Sequence, residues 1–352
     1  MKKKSIAIFA AALALGLGIL WLLQMLLMPK YMTDVREGAL IAEYYAEEKD
    51  HDVVFIGDCE VYENFSPITL WEEYGITSYI RGSAQQLIWQ SYYLMEETFK
   101  YETPKVVVFN VLSMKYATPQ NEAYNRLNLD GMKLSVSKLK AVQASMTEEE
   151  NLLSYLFPLL RYHTRWSELS GEDVKYLFHR DILSDSGYLM NVEVRPAANV
   201  PKGKPLADYQ FSDTCYEYLD KMVELCEEHG VQLVLMKAPS LYPYWYDQWD
   251  EQMVEYAAQH GLEYINFLEL TEEMGIDFDT DTYDSGLHLN LYGADKMSRW
   301  FGQWLTEHTS VENRRGQEPY ALIWAEKSKA YAERKDRLEA EWAAEQEAAG
   351  KE

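Results

Sequence analysis

Three cysteines in 352 residues are too few for a disulfide scaffold. Cys215 and Cys226 fall on one predicted helix, eleven residues apart, which separates them by roughly 16 Å along its axis. A disulfide needs Cα atoms within about 7 Å, so these two cannot pair, and Cys59 remains as a free thiol. Basic charge is also scarce: 33 Lys and Arg face 57 Asp and Glu, for a formal net charge of -24. That surface repels phosphate backbones, which excludes nucleic acid as a partner. No internal repeat is visible, and His163 has no second ligand at zinc spacing, so neither a metal nor a cofactor is expected. What is abundant is apolar. With 47% hydrophobic and 14% aromatic residues the chain can bury a core, which excludes disorder and allows one large domain or two modest ones.

One apolar run stands apart. Residues Ser5 to Met28 carry no charge and follow Lys2, Lys3 and Lys4. At 1.5 Å per residue this stretch can cross a hydrocarbon layer of roughly 30 Å. A secretory signal has a shorter apolar region ending in small residues, whereas Leu26, Leu27, Met28 and Pro29 close this one, so an uncleaved anchor is expected. The lysines hold residues 1–4 in the cytoplasm and place the rest beyond the membrane, on its outer face. An exported chain without a disulfide points to an organism that does not rely on oxidative folding outside the cell.

After the anchor, Thr33 to Lys49 reads as a polar helical stalk within a juxtamembrane segment, 29–50. Short Val- and Ile-rich runs follow at Asp52–Ile56, Thr77–Ile80, Lys105–Val111, Val231–Met236 and Glu263–Phe267, the pattern of buried strands. Helical stretches lie between and after them at Ala84–Lys100, Ser212–His229, Trp245–His260 and Leu291–His308. This alternation predicts an α/β domain over 51–308, with a five-stranded parallel sheet covered on both faces. In such sheets ligands gather beyond the carboxyl ends of the strands. The alternation lapses over Tyr116–Leu206, read as an insertion with helices of its own, a lid or a partner surface. The tail, 309–352, is dense in Ala, Glu, Lys and Arg without a sustained apolar heptad, and predicts a solvated helix.

Chemistry concentrates in two places. The first strand ends in Gly57-Asp58-Cys59-Glu60, where a glycine permits a sharp turn and Cys59 projects at the mouth of the sheet. A helix N-terminus there would stabilise the reactive thiolate, although a buried cysteine can equally be an inert small hydrophobe. Just before the last helix stands Asp281-Thr282-Tyr283-Asp284-Ser285-Gly286-Leu287-His288-Leu289-Asn290. A histidine preceded by carboxylates can serve as a general base whose ring an acid orients. Helix capping has the same composition, with Asn290 as the cap.

Gly57-Asp58-Cys59, Gly82 after the second strand and His288-Leu289-Asn290 together resemble the SGNH, or GDSL, hydrolase superfamily, over roughly Asp52 to Gln303. The resemblance implies a three-layer α/β/α flavodoxin-like fold, Cys59 in the place of the nucleophilic serine, His288 as the base, and amides of Cys59 and Gly82 in the oxyanion hole. The anchor and the stretch GDCEVYENFSP are most similar to envelope members, such as the D-alanine transfer protein of teichoic-acid modification and the alginate O-acetylation proteins. Three departures accompany it. Cysteine replaces serine, so the intermediate would be a thioester; Ser285 stands three residues before the histidine where an Asp is usual, leaving Asp284 or Asp281 to orient the ring, or Cys59 and His288 to work as a dyad. The Gly-x-Asn-Asp block is missing after the third strand, leaving Asn110 as a poorly matched oxyanion donor.

The insertion carries a basic and aromatic knot, Arg161-Tyr162-His163-Thr164-Arg165-Trp166. Arg161, Arg165 and Trp166 can bind a glycan or an acyl carrier, or the arginines can pair with Glu168, Glu172 and Asp173. Tyr242–Trp249 follows a strand's carboxyl end and is a further candidate for the cleft. The resemblance implies an anchored acyl-ester hydrolase or O-acyltransferase acting on an envelope glycan, in company with a membrane-bound O-acyltransferase. The alternative is a binding module that keeps the fold without the chemistry, a scaffold in polysaccharide assembly.

Overall fold

In the computed structural model, which describes residues 3–28, 38–179 and 182–350, the apolar run forms helix α1 (Lys3–Leu27). It is long and apolar enough to cross a membrane, and it touches the rest of the protein only near its last turn. The order then runs α2 (Ala39–Glu43), β1 (Val53–Gly57), α3 (Cys59–Tyr62), α4 (Pro67–Tyr74), β2 (Ser78–Gly82), α5 (Ile88–Thr98) and β3 (Val106–Asn110). The insertion contributes α6 (Glu122–Leu129), α7 (Val136–Ser145), α8 (Leu152–Leu156), α9 (Leu159–Tyr162) and α10 (Gly171–Phe178). The remainder is α11 (Asp213–His229), β4 (Gln232–Lys237), α12 (Asp247–His260), β5 (Glu263–Asn266), α13 (Thr271–Met274), α14 (Leu291–His308) and α15 (Tyr320–Ala349).

All five strands are parallel, in the order β2-β1-β3-β4-β5. Alternate strand residues feed two separate cores. Val54, Ile56, Val107, Phe109, Leu233 and Leu235 pack with α5, α11 and α12 on one face. Val53, Phe55, Val106, Val108, Val234 and Met236 pack with α4 and α14 on the other. The period of two along a strand thus produces the three-layer architecture directly. Local chemistry sets the helix ends. Ser66 caps α4 through Thr69 N, Pro67 occupies its first turn, and Gly75 closes it at φ 72°.

Two expectations need correction. The stalk is not a continuous helix: residues 33–37 lie outside the described residues, and beyond them only Ala39–Glu43 is helical. Ile41 and Tyr44 of this segment are buried, and Tyr44 donates to Glu102 at 2.7 Å, because two apolar positions among the charges have a core to enter. The tail is not simply solvated either. Arg314 pairs with Asp52 at 2.7 Å and Asp50 at 3.2 Å, and Trp324 of α15 stacks on Trp71 at 5.3 Å. Trp324, Tyr331 and Leu338 recur every seven residues, a short heptad stripe that docks α15 on the domain.

The insertion has helices of its own, α6–α10, and part of it packs into the main core. Leu129, Ala141, Val142 and Tyr155 join the main core beside α5. From residue 184 the chain runs back as a strap: Ser186 O accepts from Ile80 N, Tyr62 O from Leu189 N, Asn191 O from Leu291 N and Thr282 O from Arg195 N. It covers the open edge of β2, which would otherwise present unpaired backbone groups, and it ties the turn after β1 to the loop before α14.

Candidate active site

The sheet order reverses direction between β1 and β3, which opens a crevice beyond their carboxyl ends. Both strands end in residues that only fit because one is glycine. A Cβ on Gly57 would lie 2.9 Å from the Cβ of Asn110. A Cβ on Gly82, at the end of β2, would lie 3.0 Å from the Tyr62 ring and 3.2 Å from Asp58 O. The missing side chains let the turn carrying Cys59 pack down against β2 and β3.

Asp58 caps α3 by accepting from Glu60 N at 3.1 Å, and Cys59 is the first residue of that helix, where a backbone N–H has no partner within the helix. Behind the turn lies a buried polar network. Asn110 donates its amide to Asp58 and to Glu60, both at 2.9 Å. Glu60 in turn receives Lys237 Nζ at 2.9 and 3.1 Å, and neither of these side chains is exposed. Burial, followed by the neighbouring Glu60 carboxylate, pushes Asp58 up to about 6. This overturns the assignment of Asn110 to the oxyanion hole: both of its donor protons are engaged by carboxylates, so its side chain braces the turn.

The loop before α14 supplies the histidine. Asn290 caps α14 through Tyr292 N and Gly293 N, which fixes the loop's exit. Ser285 at φ 66° and Gly286 at φ 97° form consecutive left-handed residues. They take up the one extra residue between Asp284 and His288 and fold the carboxylate back onto the ring. Asp284 Oδ1 accepts from His288 N at 2.8 Å, and its Oδ2 contacts His288 Nδ1 at 2.7 Å. Asp281 is not the orienting acid. It is buried against Lys296 Nζ at 2.6 Å and Asp277 N at 2.7 Å, where it holds the loop base. Leu289 N donates to Asn64 Oδ1 at 2.8 Å, binding the histidine loop to the segment just after Cys59.

The two loops bring Cys59 and His288 together. Each acts on the other electrostatically. With Nδ1 engaged by Asp284, Nε2 is the nitrogen left for the thiol; it is buried and makes no hydrogen bond of ordinary geometry, to Cys59 or to any other group. The pair is therefore close but not aligned, as unliganded catalytic pairs often are. Burial pushes the Cys59 thiol up to about 11, against the opposing pull of His288. Burial also disfavours the imidazolium of His288, but the Glu63 carboxylate, the Cys59 sulfur and the hydrogen bond to Asp284 outweigh it and hold the ring well above the ordinary histidine range.

Glu63 was not among the residues singled out from sequence. It ends α3, four residues after Cys59, and its Oε2 lies 3.3 Å from His288 Nδ1 and accepts from Tyr283 Oη. The signal was present in the spacing, since i and i+4 share a helix face. Two carboxylates thus face one imidazole. If His288 must lose its proton before it can activate Cys59, the rate of acylation rises with pH through the histidine's pKa. Glu63→Gln removes a negative charge that raises this pKa, so the rising limb should move to lower pH. A pH profile of the acylation rate checks it, and a limb that stays in place or moves up rejects the role.

Of the remaining candidates, Arg165 binds Asp173 at 3.0 Å and the carbonyls of Leu27 and Met28 at 3.3 and 2.8 Å, at the end of α1. Arg161 pairs with Glu122 at 3.1 Å, and Trp166 is exposed. The structure does not join this knot to the Cys59–His288 pair. Tyr242, by contrast, donates to Asp284 O at 2.8 Å and so borders the site.

No protein-family model matches the chain, and no curated protein matches it in sequence. Solved structures do resemble it. A GDSL-like lipase from Bacteroides thetaiotaomicron is 13% identical at a TM-score of 0.36, covering 77% of this chain and 99% of that one. A protein of the G-D-S-L family from Desulfitobacterium hafniense is 13% identical at 0.35, over 72% and 99%. The lipase/acylhydrolase from Enterococcus faecalis is 10% identical at 0.28, over 75% and 99%. Overlaps this loose leave the geometry above as the ground for assigning a role.

Proposed function

We propose that the protein is a membrane-anchored acyl-ester hydrolase or O-acyltransferase of SGNH type, with Cys59 as nucleophile. One observation carries this reading: Cys59, on the turn after β1, lies within electrostatic reach of a histidine whose Nδ1 is bonded to Asp284 and whose buried Nε2 has no hydrogen-bond partner. Those are the roles of nucleophile, base and orienting acid.

The chemistry then runs as follows. Cys59 Sγ attacks the acyl carbonyl carbon while its proton passes to His288 Nε2. The negative oxygen of the tetrahedral intermediate is held by the amides of Cys59 and Gly82, and collapse expels the alkoxide, which recovers the proton from His288. The thioester is released to water in hydrolysis, or to a hydroxyl of an acceptor in transfer. Asp284 and Glu63 stabilise the imidazolium that forms at each proton transfer. Because the thiol is held up near 11 at rest, attack depends on this concerted transfer rather than on a standing thiolate.

We read helix α1 as an uncleaved anchor and the site as facing outward from the cell membrane, a reading that favours an envelope glycan as substrate and a membrane-bound O-acyltransferase as neighbour. The engagement of Asn110 favours a second reading, a binding module that has kept the fold without the chemistry. Incubation with p-nitrophenyl acetate and mass spectrometry of the intact protein separates the two. Wild-type protein is expected to gain one acetyl group on Cys59, and Cys59→Ala none; equal labelling of both leaves the binding module.

A further inference from the structure

Exposed apolar side chains are not evenly spread. Outside α1, nearly half of the large ones among the described residues fall between 153 and 182. Phe178 is 86% exposed, Trp166 71% and Phe157 57%, with Leu160 and Val174 close behind. Single exposed apolar residues need no explanation, but a cluster of this size marks an interaction surface. These residues sit on α9, α10 and the segments beside them, the same elements that receive the last turn of α1. Arg165 makes the join by holding the carbonyls of Leu27 and Met28 while paired to Asp173. It supplies a positive charge where the helix dipole is negative and its final carbonyls lack partners.

The position of this cluster relative to a bilayer follows from α1. Its 25 residues extend about 37 Å, several ångströms more than the hydrocarbon thickness, so its last turn stands at the headgroup level. Whatever packs on that turn stands there too. Resting on the reading of α1 as a membrane span, we propose that Phe157, Leu160, Trp166, Val174 and Phe178 sit in the outer headgroup region of the same bilayer, as a second, interfacial contact. Aromatic residues favour that depth. Charge agrees: residues 151–179 carry three basic and three acidic side chains, whereas the whole chain carries a net -24. This face is spared the repulsion that anionic lipid exerts on the rest of the surface. A tether alone would leave the domain free to swivel, and a second contact beside it fixes which way the catalytic crevice faces.

The test uses the full chain in phosphatidylcholine–phosphatidylglycerol vesicles on a Cys59→Ser background, Cys215 and Cys226 being buried. An NBD fluorophore is attached at Phe157→Cys, Phe178→Cys, Leu17→Cys in the span, or Leu322→Cys, exposed near the start of α15. Emission shifted to the blue and quenched by spin-labelled lipid is expected at 17, 157 and 178, and not at 322. Quenching at 17 with positions 157 and 178 behaving like 322 overturns the interfacial contact while leaving the anchor intact, and assigns the face to another protein. Loss of quenching at 17 removes the anchor and the contact together.

Discussion

Changing His288 to Asn is expected to slow acylation of Cys59 by about a thousandfold, within the range that a positioned general base contributes. Burial holds the thiol near 11 even with His288 pulling it down, and removing the ring raises it further, so very little thiolate exists at neutral pH and no group remains to take the proton. Asn places an amide N–H near the position of Nδ1 and can still donate it to Asp284, which limits the change to the loss of basicity. The measurement is the time course of the acetyl adduct by mass spectrometry at fixed p-nitrophenyl acetate. A variant within about threefold of wild type would reduce His288 to a packing residue, because a base that supplies less than that is not acting in the transition state. Asp284 should matter less than His288. It orients the ring and stabilises its charged form, but Glu63 stands 3.3 Å from the same nitrogen and can take over part of that work.

Much of this architecture was legible in the chain because it rests on local signals. The strands announce themselves by Val- and Ile-rich runs, and the crevice follows from their order. Cys59 and His288 stand at a strand end and a helix start, the two kinds of position where an α/β sheet displays chemistry. Asp284 was legible as one of two acids, but choosing it over Asp281 required the left-handed pair Ser285–Gly286 and a lysine, Lys296, on the following helix. Asn110 failed for a different reason. Its neighbours Asp58 and Glu60 are 52 and 50 residues away, and nothing local shows that its amide is already committed. The docking of α15 was present as a seven-residue stripe but diluted by the charges around it. The knot at Arg161–Trp166 was visible by composition, yet its meaning depends on where α1 ends, which only the fold supplies.

The least legible feature has the second large effect. Lys237 and Glu60 lie 177 residues apart, are wholly buried and meet under the turn that carries Cys59. Lys237→Met should cost about 3–5 kcal/mol of stability, since it strands a carboxylate in the interior. Glu60→Gln made together with Lys237→Met should recover most of that loss, because the amide oxygen of Gln can still accept from Asn110 while no charge is left unpaired. Denaturant unfolding of the three proteins checks both statements, read as midpoint shifts at constant slope. A single variant that loses less than about 1 kcal/mol, or a double variant no better than the single, would show that the pair is not the desolvated bridge its burial implies. The consequence reaches the chemistry. Glu60 binds Asn110, Asn110 binds Asp58, and Asp58 caps the helix that begins at Cys59. A stable double variant that acylates slowly would mean that the charge, and not only the packing, keeps the sulfur beside His288.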